Sequence, residues 1–88
     1  MDVYFSSNAF EDFCYWQNTD KKIFNKLTRL IKNTQRTPFD GIGIPEPLRE
    51  NLSGYWSRRI THEHRLVYKV EGNKGEQVLT IIQCRYHY

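Results

Sequence analysis

The stretch TPFDGIGIPEPL, residues 37–48, decides how the rest of the chain is read, because the residue pattern changes on either side of it. Pro38, Pro45 and Pro47 remove backbone donors and fix φ, while Gly41 and Gly43 loosen the chain between them. Neither a regular helix nor a central strand can run through such a segment, so it reads as a long, shaped loop. Upstream the apolar residues follow helical spacing. Ile23, Leu27, Leu30 and Ile31 fall at i, i+4, i+7 and i+8, and Phe10, Phe13, Cys14 and Trp16 form a looser stripe before them. The two helices part at NTD, where Thr19 or Asp20 suits an N-cap, and Lys32 and Arg36 lie near the end of the second, where cations favour the helix dipole. Asn8 with Glu11 has capping-box spacing and predicts the start of the first helix, just after a short β-prone run, Val3, Tyr4 and Phe5.

Downstream of the loop the pattern alternates. YWSRRI, residues 55–60, sets Trp56, Arg58 and Ile60 on one face and Tyr55, Ser57 and Arg59 on the other; RLVYKV and QVLTIIQC read as two further strands. EGNKGE between them reads as a hairpin loop. The order strand, helix, helix, loop, three strands predicts an α+β fold, an antiparallel sheet packed against two N-terminal helices.

Eighty-eight residues allow one small domain, residues 1–88, and a hydrophobic fraction of 39% with 15% aromatic residues is enough to build its core, which argues against disorder. A net charge of +3 suits a polyanion or an acidic protein as partner. No apolar run reaches the length of a membrane span, and MDVYFSSNAF lacks the basic stretch and hydrophobic block of a signal peptide, so the expectation is a cytoplasmic protein with no membrane partner. In that reducing compartment the two cysteines, Cys14 and Cys84, read as buried thiols rather than a disulfide.

Side chains fit for chemistry cluster in the second half. Arg49, Arg58, Arg59, Arg65, Lys69 and Arg85 fall where the sheet is expected, and by charge alone they read equally as a polyanion surface or a solvated face. Glu46 is held between Pro45 and Pro47, which pre-orients its carboxylate for proton transfer; an ordinary turn glutamate is the simpler alternative. His62 and His64 in THEH have no third metal ligand nearby and read as turn histidines. His87 differs: it follows a strongly patterned strand and is flanked by Tyr86 and Tyr88 in the closing CRYHY. Imidazole exchanges protons near neutral pH, and phenol rings either stack on bases or dock the tail on the core. No Walker A loop, nucleophile elbow, dinucleotide fingerprint or zinc-type cysteine set occurs, so neither metal nor cofactor is expected. A carboxylate, an imidazole, phenols and guanidiniums match RNA cleavage by the substrate's own 2′-hydroxyl, and equally plain RNA binding without chemistry.

Taken together, YWQNTDKK, RTPFDGIGIPEPLRENLSGYWSRRITHEHRLVY and CRYHY closely resemble the YoeB (Txe) toxins of bacterial toxin–antitoxin pairs, within the RelE and ParE superfamily, and the likeness runs over essentially the whole chain. The resemblance implies a RelE-like fold and a type II toxin: a ribosome-dependent endoribonuclease that cuts mRNA in the A site without a metal and so stops translation. Carried over by position, it makes Glu46 the general base, Arg65 the phosphate-stabilising cation, His87 the general acid and Tyr88 a residue that orders the substrate. Arg59 becomes a cation of the active face. Arg49 stands where the family has lysine, keeping the charge but with a guanidinium's geometry, and Arg85 is divided between packing and RNA contact. The segment VEGNKGEQ looks longer than the family's hairpin loop, and His62 is assigned no role. The implied partners are a YefM-like (Axe) antitoxin, the ribosome and mRNA, operator DNA only through the antitoxin, and a second copy of the toxin in a homodimer. A ParE-like gyrase poison would need no acid and base pair, and the set Glu46, Arg65, His87 and Tyr88 argues against it.

Overall fold

The computed structural model describes residues 1–88. Its elements are β1 (Asp2–Phe5), α1 (Ser7–Thr19), α2 (Lys21–Arg36), β2 (Glu46–Pro47), β3 (Trp56–Arg59), β4 (Arg65–Glu71) and β5 (Val78–Gln83), with a single 3-10 turn at Glu50–Leu52. The helices begin and end at identifiable side chains. Asp20 does two jobs at the NTD junction: its backbone N–H closes α1 on the Trp16 carbonyl at 3.0 Å, and its carboxylate accepts from the Ile23 N–H at 3.1 Å to open α2. The start of α1 differs from the capping-box expectation. Ser6, not Asn8, is the N-cap, its Oγ accepting from the Ala9 N–H at 3.1 Å. Ser6 is already fixed by its own N–H, which donates to the Ile81 carbonyl at 2.9 Å, so the helix starts where the chain leaves the sheet.

The five strands form one sheet in the order β1-β5-β4-β3-β2. β2, β3, β4 and β5 pair antiparallel, but β1 runs parallel to β5, with Val3 opposite Leu79 and Phe5 opposite Ile81. The sheet is therefore mixed, where the strand pattern predicts an antiparallel one. Tight connections enforce antiparallel pairing; β1 is joined to the rest only through two helices, so nothing local dictates its direction. The shaped loop also contributes β2, a two-residue edge strand with Glu46 opposite Ser57, and Pro47 is tolerated there because an edge strand has a side that needs no donor.

Both helices lie on one face of the sheet. Leu27, Leu30 and Ile31 of α2 and Ala9 and Trp16 of α1 share a core with Leu66, Tyr68, Leu79 and Ile81. Period-two alternation then sends Ser57 and Arg59 of β3, and Arg65, Val67 and Lys69 of β4, to the opposite face. Of the α1 stripe, Trp16 is buried, Phe13 and Cys14 are half-buried and Phe10 is exposed. Both thiols are free, with Cys84 buried.

Arg58 leaves the expected set of surface cations. It points to the helical side and is completely buried. Its Nη1 donates to Asn33 Oδ1 at 2.6 Å and the Ile42 carbonyl at 3.0 Å, its Nη2 to the carbonyls of Thr37 (2.6 Å) and Asp40 (2.9 Å), and its Nε to Tyr68 Oη at 3.2 Å. Tyr68 Oη in turn donates to the Pro38 carbonyl at 2.6 Å. A charge so deep is tolerated because each of its donors meets an oxygen. These bonds shape the loop that leads to Glu46.

Candidate active site on the open face of the sheet

The face that no helix covers carries the candidate residues, and cross-strand register brings them together. Glu46 on β2 lies opposite Ser57 on β3, Ser57 opposite Val67, and Arg59 opposite Arg65. With strands about 4.8 Å apart and about 3.4 Å per residue along each, Arg59 is about 7 Å along β3 from the Glu46–Ser57 pair. Glu46 and Arg59 are exposed, whereas Arg65 retains only 7% of its accessible surface.

Glu46 reaches this position through a strained segment. Gly43 has φ of +82°, and a Cβ there would come within 2.7 Å of Leu30 Cδ2. Its carbonyl accepts from the Arg59 N–H at 2.7 Å, stitching the loop to the end of β3. Ile44, two residues before Glu46, has φ of 53°, a left-handed conformation that β-branched residues rarely adopt. Such strain costs about 1–3 kcal/mol and persists only where the surroundings enforce it. Here they are the Arg58 cage and the proline that follows.

Arg65 divides its guanidinium between structure and site. Nη1 makes all its hydrogen bonds, to the carbonyls of Thr61 (2.7 Å), His62 (3.0 Å) and His64 (3.2 Å), which ties down the turn between β3 and β4. Nε and Nη2 stay uncommitted for an anion.

The last residues complete the face. After β5, Tyr86 takes a left-handed φ of 66°, fixed by its N–H donating to His64 Nδ1 at 2.7 Å and its carbonyl accepting from the Arg65 N–H at 3.0 Å. From there the chain turns towards β3. His87 Nε2 lies 3.3 Å from the His62 carbonyl, and Tyr88 Oη lies 3.4 Å from Ser57 Oγ, the residue opposite Glu46. His87 and Tyr88 are both exposed, with ring centroids 5.9 Å apart. Glu46, Arg59, Arg65, His87 and Tyr88 thus share one surface.

Arg49 and Arg85 lie elsewhere. Arg49 is exposed in the turn between β2 and β3, at the far end of β3 from Arg59, the end where Lys69 Nζ sits 5.3 Å from the Tyr55 ring centroid. Arg85 turns to α1, its guanidinium carbon 3.5 Å from the centroid of Tyr15 and 4.5 Å from that of Tyr86. That stack anchors the tail on the helical side. His64 belongs to the same anchor, its ring packed edge-on to Trp16 at 4.7 Å. Trp16 Nε1 donates to the Cys84 carbonyl at 2.8 Å, and Asp12 accepts from the Cys84 N–H at 3.1 Å. Burial pushes the Asp12 carboxyl above its usual range, against that hydrogen bond and the nearby Arg85 cation.

Sequence reasoning missed the supporting residues Ser57, His64 and Gln83. Ser57 lay legibly on the same strand face as Arg59; His64 was marked only as a histidine beside the hairpin, and nothing local marked Gln83. Beside the site, a groove of about 610 Å³ between α2 and the loop is lined by Lys26, Arg29, Ile42, Ile44, Arg59 and His62. It offers cations next to apolar surface.

Comparison with known proteins gives the family of the chain. A family model of YoeB-like toxins of bacterial type II toxin–antitoxin systems matches residues 5–88. The chain is 56% identical over 88 residues to toxin YoeB of Escherichia coli strain K12, covering 100% of both chains. Among solved structures it superposes on a YoeB/ParE toxin from Agrobacterium tumefaciens with a TM-score of 0.95, at 49% identity and full coverage of both chains. It is also similar to YoeB of Staphylococcus aureus, solved as a dimer (TM-score 0.88, 48% identity, 100% of this chain and 98% of the other). In a heterotetrameric complex of the same toxin with YefM the TM-score is 0.87, at 48% identity and the same coverage. The two helices and five-stranded sheet are those of the RelE-like fold that the sequence resemblance implies.

Proposed function

Because the chain belongs to the YoeB-like toxins of bacterial type II toxin–antitoxin systems, we propose that it is a ribosome-dependent endoribonuclease that cuts mRNA in the A site. The observation that carries this reading is the placement of Tyr88 Oη 3.4 Å from Ser57 Oγ, directly across from Glu46, because it brings the tail's phenol to β3, the strand paired with the one that carries the carboxylate. In the proposed reaction Glu46 takes the proton from a ribose 2′-hydroxyl, and the 2′-oxygen attacks the adjacent phosphorus. The bond from phosphorus to the 5′-oxygen breaks, His87 protonates that oxygen, and a 2′,3′-cyclic phosphate remains. Nε and Nη2 of Arg65, with Arg59 beside them, stabilise the charge that gathers on the phosphoryl oxygens. Tyr88 holds the nucleotide in line, and the chain's own side chains supply every proton transfer. Arg49 extends the cationic track along the message.

The proposed partners follow from the same surface. A YefM-like antitoxin segment, acidic and flexible, would cover the cationic face and the groove beside it, coupling its folding to inhibition. Homodimerisation is proposed by likeness to the solved YoeB dimer, and a cytoplasmic location by the ribosomal substrate. No helix of the chain is long and apolar enough to cross a membrane.

Primer extension on mRNA bound to programmed ribosomes tests the proposal. New 5′ ends in the A-site codon, lost on Glu46→Gln or His87→Gln, are the expected result. Translation arrest without new ends would replace it with a binding-only regulator, and poisoning of gyrase would replace it with a ParE-like activity.

A further inference from the structure

Beyond Tyr86 the catalytic tail has little to hold it. Residues 84–88 form no regular element, and beyond Tyr86 the side-chain contacts are single and long: 3.3 Å from His87 Nε2 to the His62 carbonyl, and 3.4 Å from Tyr88 Oη to Ser57 Oγ. Only one hydrogen bond reaches the main chain of residues 87–88. It comes from Gln83, the last residue of β5, which faces the open side of the sheet opposite Val67. Gln83 Nε2 lies 2.8 Å from the Arg85 carbonyl and 3.0 Å from that of His87, with the Tyr86 carbonyl at 3.4 Å. All three neighbours are acceptors, which fixes the amide with its nitrogen towards them, and its two N–H groups match the two short contacts.

We propose that Gln83 is a positioning residue for the catalytic tail, its side-chain amide clamping the carbonyls of Arg85 and His87 so that the His87 imidazole and the Tyr88 phenol stay at the site. The inference rests on the nuclease reading above for its effect on cleavage, but not for the clamp itself. The amide closes a short loop from a residue rigidly held in the ladder to one held by nothing else on its main chain. It therefore sets the direction in which the His87 side chain leaves the backbone. Chemistry is sensitive to that direction, since a displacement of about 1 Å at a reacting group costs about a hundredfold in rate. No side chain without a donor can substitute. A glutamate of the same length would bring its oxygens against three carbonyl oxygens, and methionine would fill the space without bonding.

The test compares wild type with Gln83→Met and Gln83→Glu by two independent readouts. Backbone ¹⁵N relaxation should show residues 87 and 88 loosened in both variants while β5 stays ordered. Single-turnover cleavage on programmed ribosomes should fall at least tenfold in kcat, with KM for the ribosome and the melting temperature unchanged. Gln83→Arg, which restores donors to the same carbonyls, should recover part of the rate. A tail that stays ordered in Gln83→Met overturns the clamp, and a loosened tail with full cleavage overturns its role in positioning. A parallel loss of ribosome binding and melting temperature would make Gln83 merely structural. If wild type itself does not cleave, the nuclease reading fails, and the relaxation data still decide the clamp.

Discussion

At the scale of single residues, the proposed mechanism separates groups that exchange protons from groups that hold them in place. His87 and Glu46 are exposed and free of ion pairs, so their substitution should alter chemistry with little effect on folding. His87→Gln should lower the cleavage rate by about 10²–10⁴, the usual worth of a positioned general acid, while antitoxin binding in a pull-down persists. Retained cleavage would remove His87 from the role. Cys84 shows the opposite behaviour. Burial, with a smaller contribution from Asp12, pushes its thiol up from 9.0 to about 12. The folded protein thus keeps this proton over a range in which the unfolded chain releases it, so stability is intact below pH 9 and is lost as pH rises towards 12. The slope expected from this one group is about 1.4 kcal/mol per pH unit. Urea unfolding between pH 8 and 10.5 measures it, and iodoacetamide should label half-buried Cys14 well before Cys84 in the native protein.

Among the elements, the loop at residues 37–48 is the one whose shape the proposed function needs. A central strand would be held by its ladder; this loop has only a short stretch of main-chain pairing and leans on side chains for the rest. Gly43→Ala would place a methyl against Leu30 and force a left-handed φ on alanine, and we expect a loss of about 1–3 kcal/mol with a weaker site, seen as a lower urea midpoint and slower cleavage. Arg58→Met should be worse. It strands the carbonyls of Thr37, Asp40 and Ile42 and leaves Asn33 Oδ1 with only the Ile42 N–H, costing on the order of 3 kcal/mol or more and lowering the melting temperature by at least about 12 °C. A stable Arg58→Met protein with Glu46 in place would show that the loop holds itself. The residue pattern put Arg58 on the strand face with Trp56 and Ile60, and this is where it lies. Its charge nevertheless counted it among the sheet cations read equally as a polyanion surface or a solvated face, because a strand pattern cannot reveal that the loop carbonyls would fold over it.

For the whole molecule, the open face is a consequence of covering one side of a sheet with two helices and leaving the other to the chain's own tail. On the proposed function, a net charge of +3 gathered partly on that side makes binding to ribosomes sensitive to salt, and affinity should fall steeply between 50 and 200 mM monovalent salt. A salt-independent affinity, measured by sedimentation with ribosomes, would argue against phosphate contacts by Arg49 and Arg59. What the sequence determined by itself is local: two helices from apolar spacing and a cap at Thr19 or Asp20, strands from alternation, a loop from its prolines and glycines, and, through family resemblance, the names of the candidate site residues. Only the tertiary structure decided the parallel pairing of β1, the burial of Arg58, the stacking of Arg85 on Tyr15 and the hold of Gln83 on the tail. Each of these depends on partners far apart in the chain or on the direction in which a flexible segment turns. Periodicity carries the first kind of information because side chains alternate by geometry along one element; it carries none about which element comes to lie beside another.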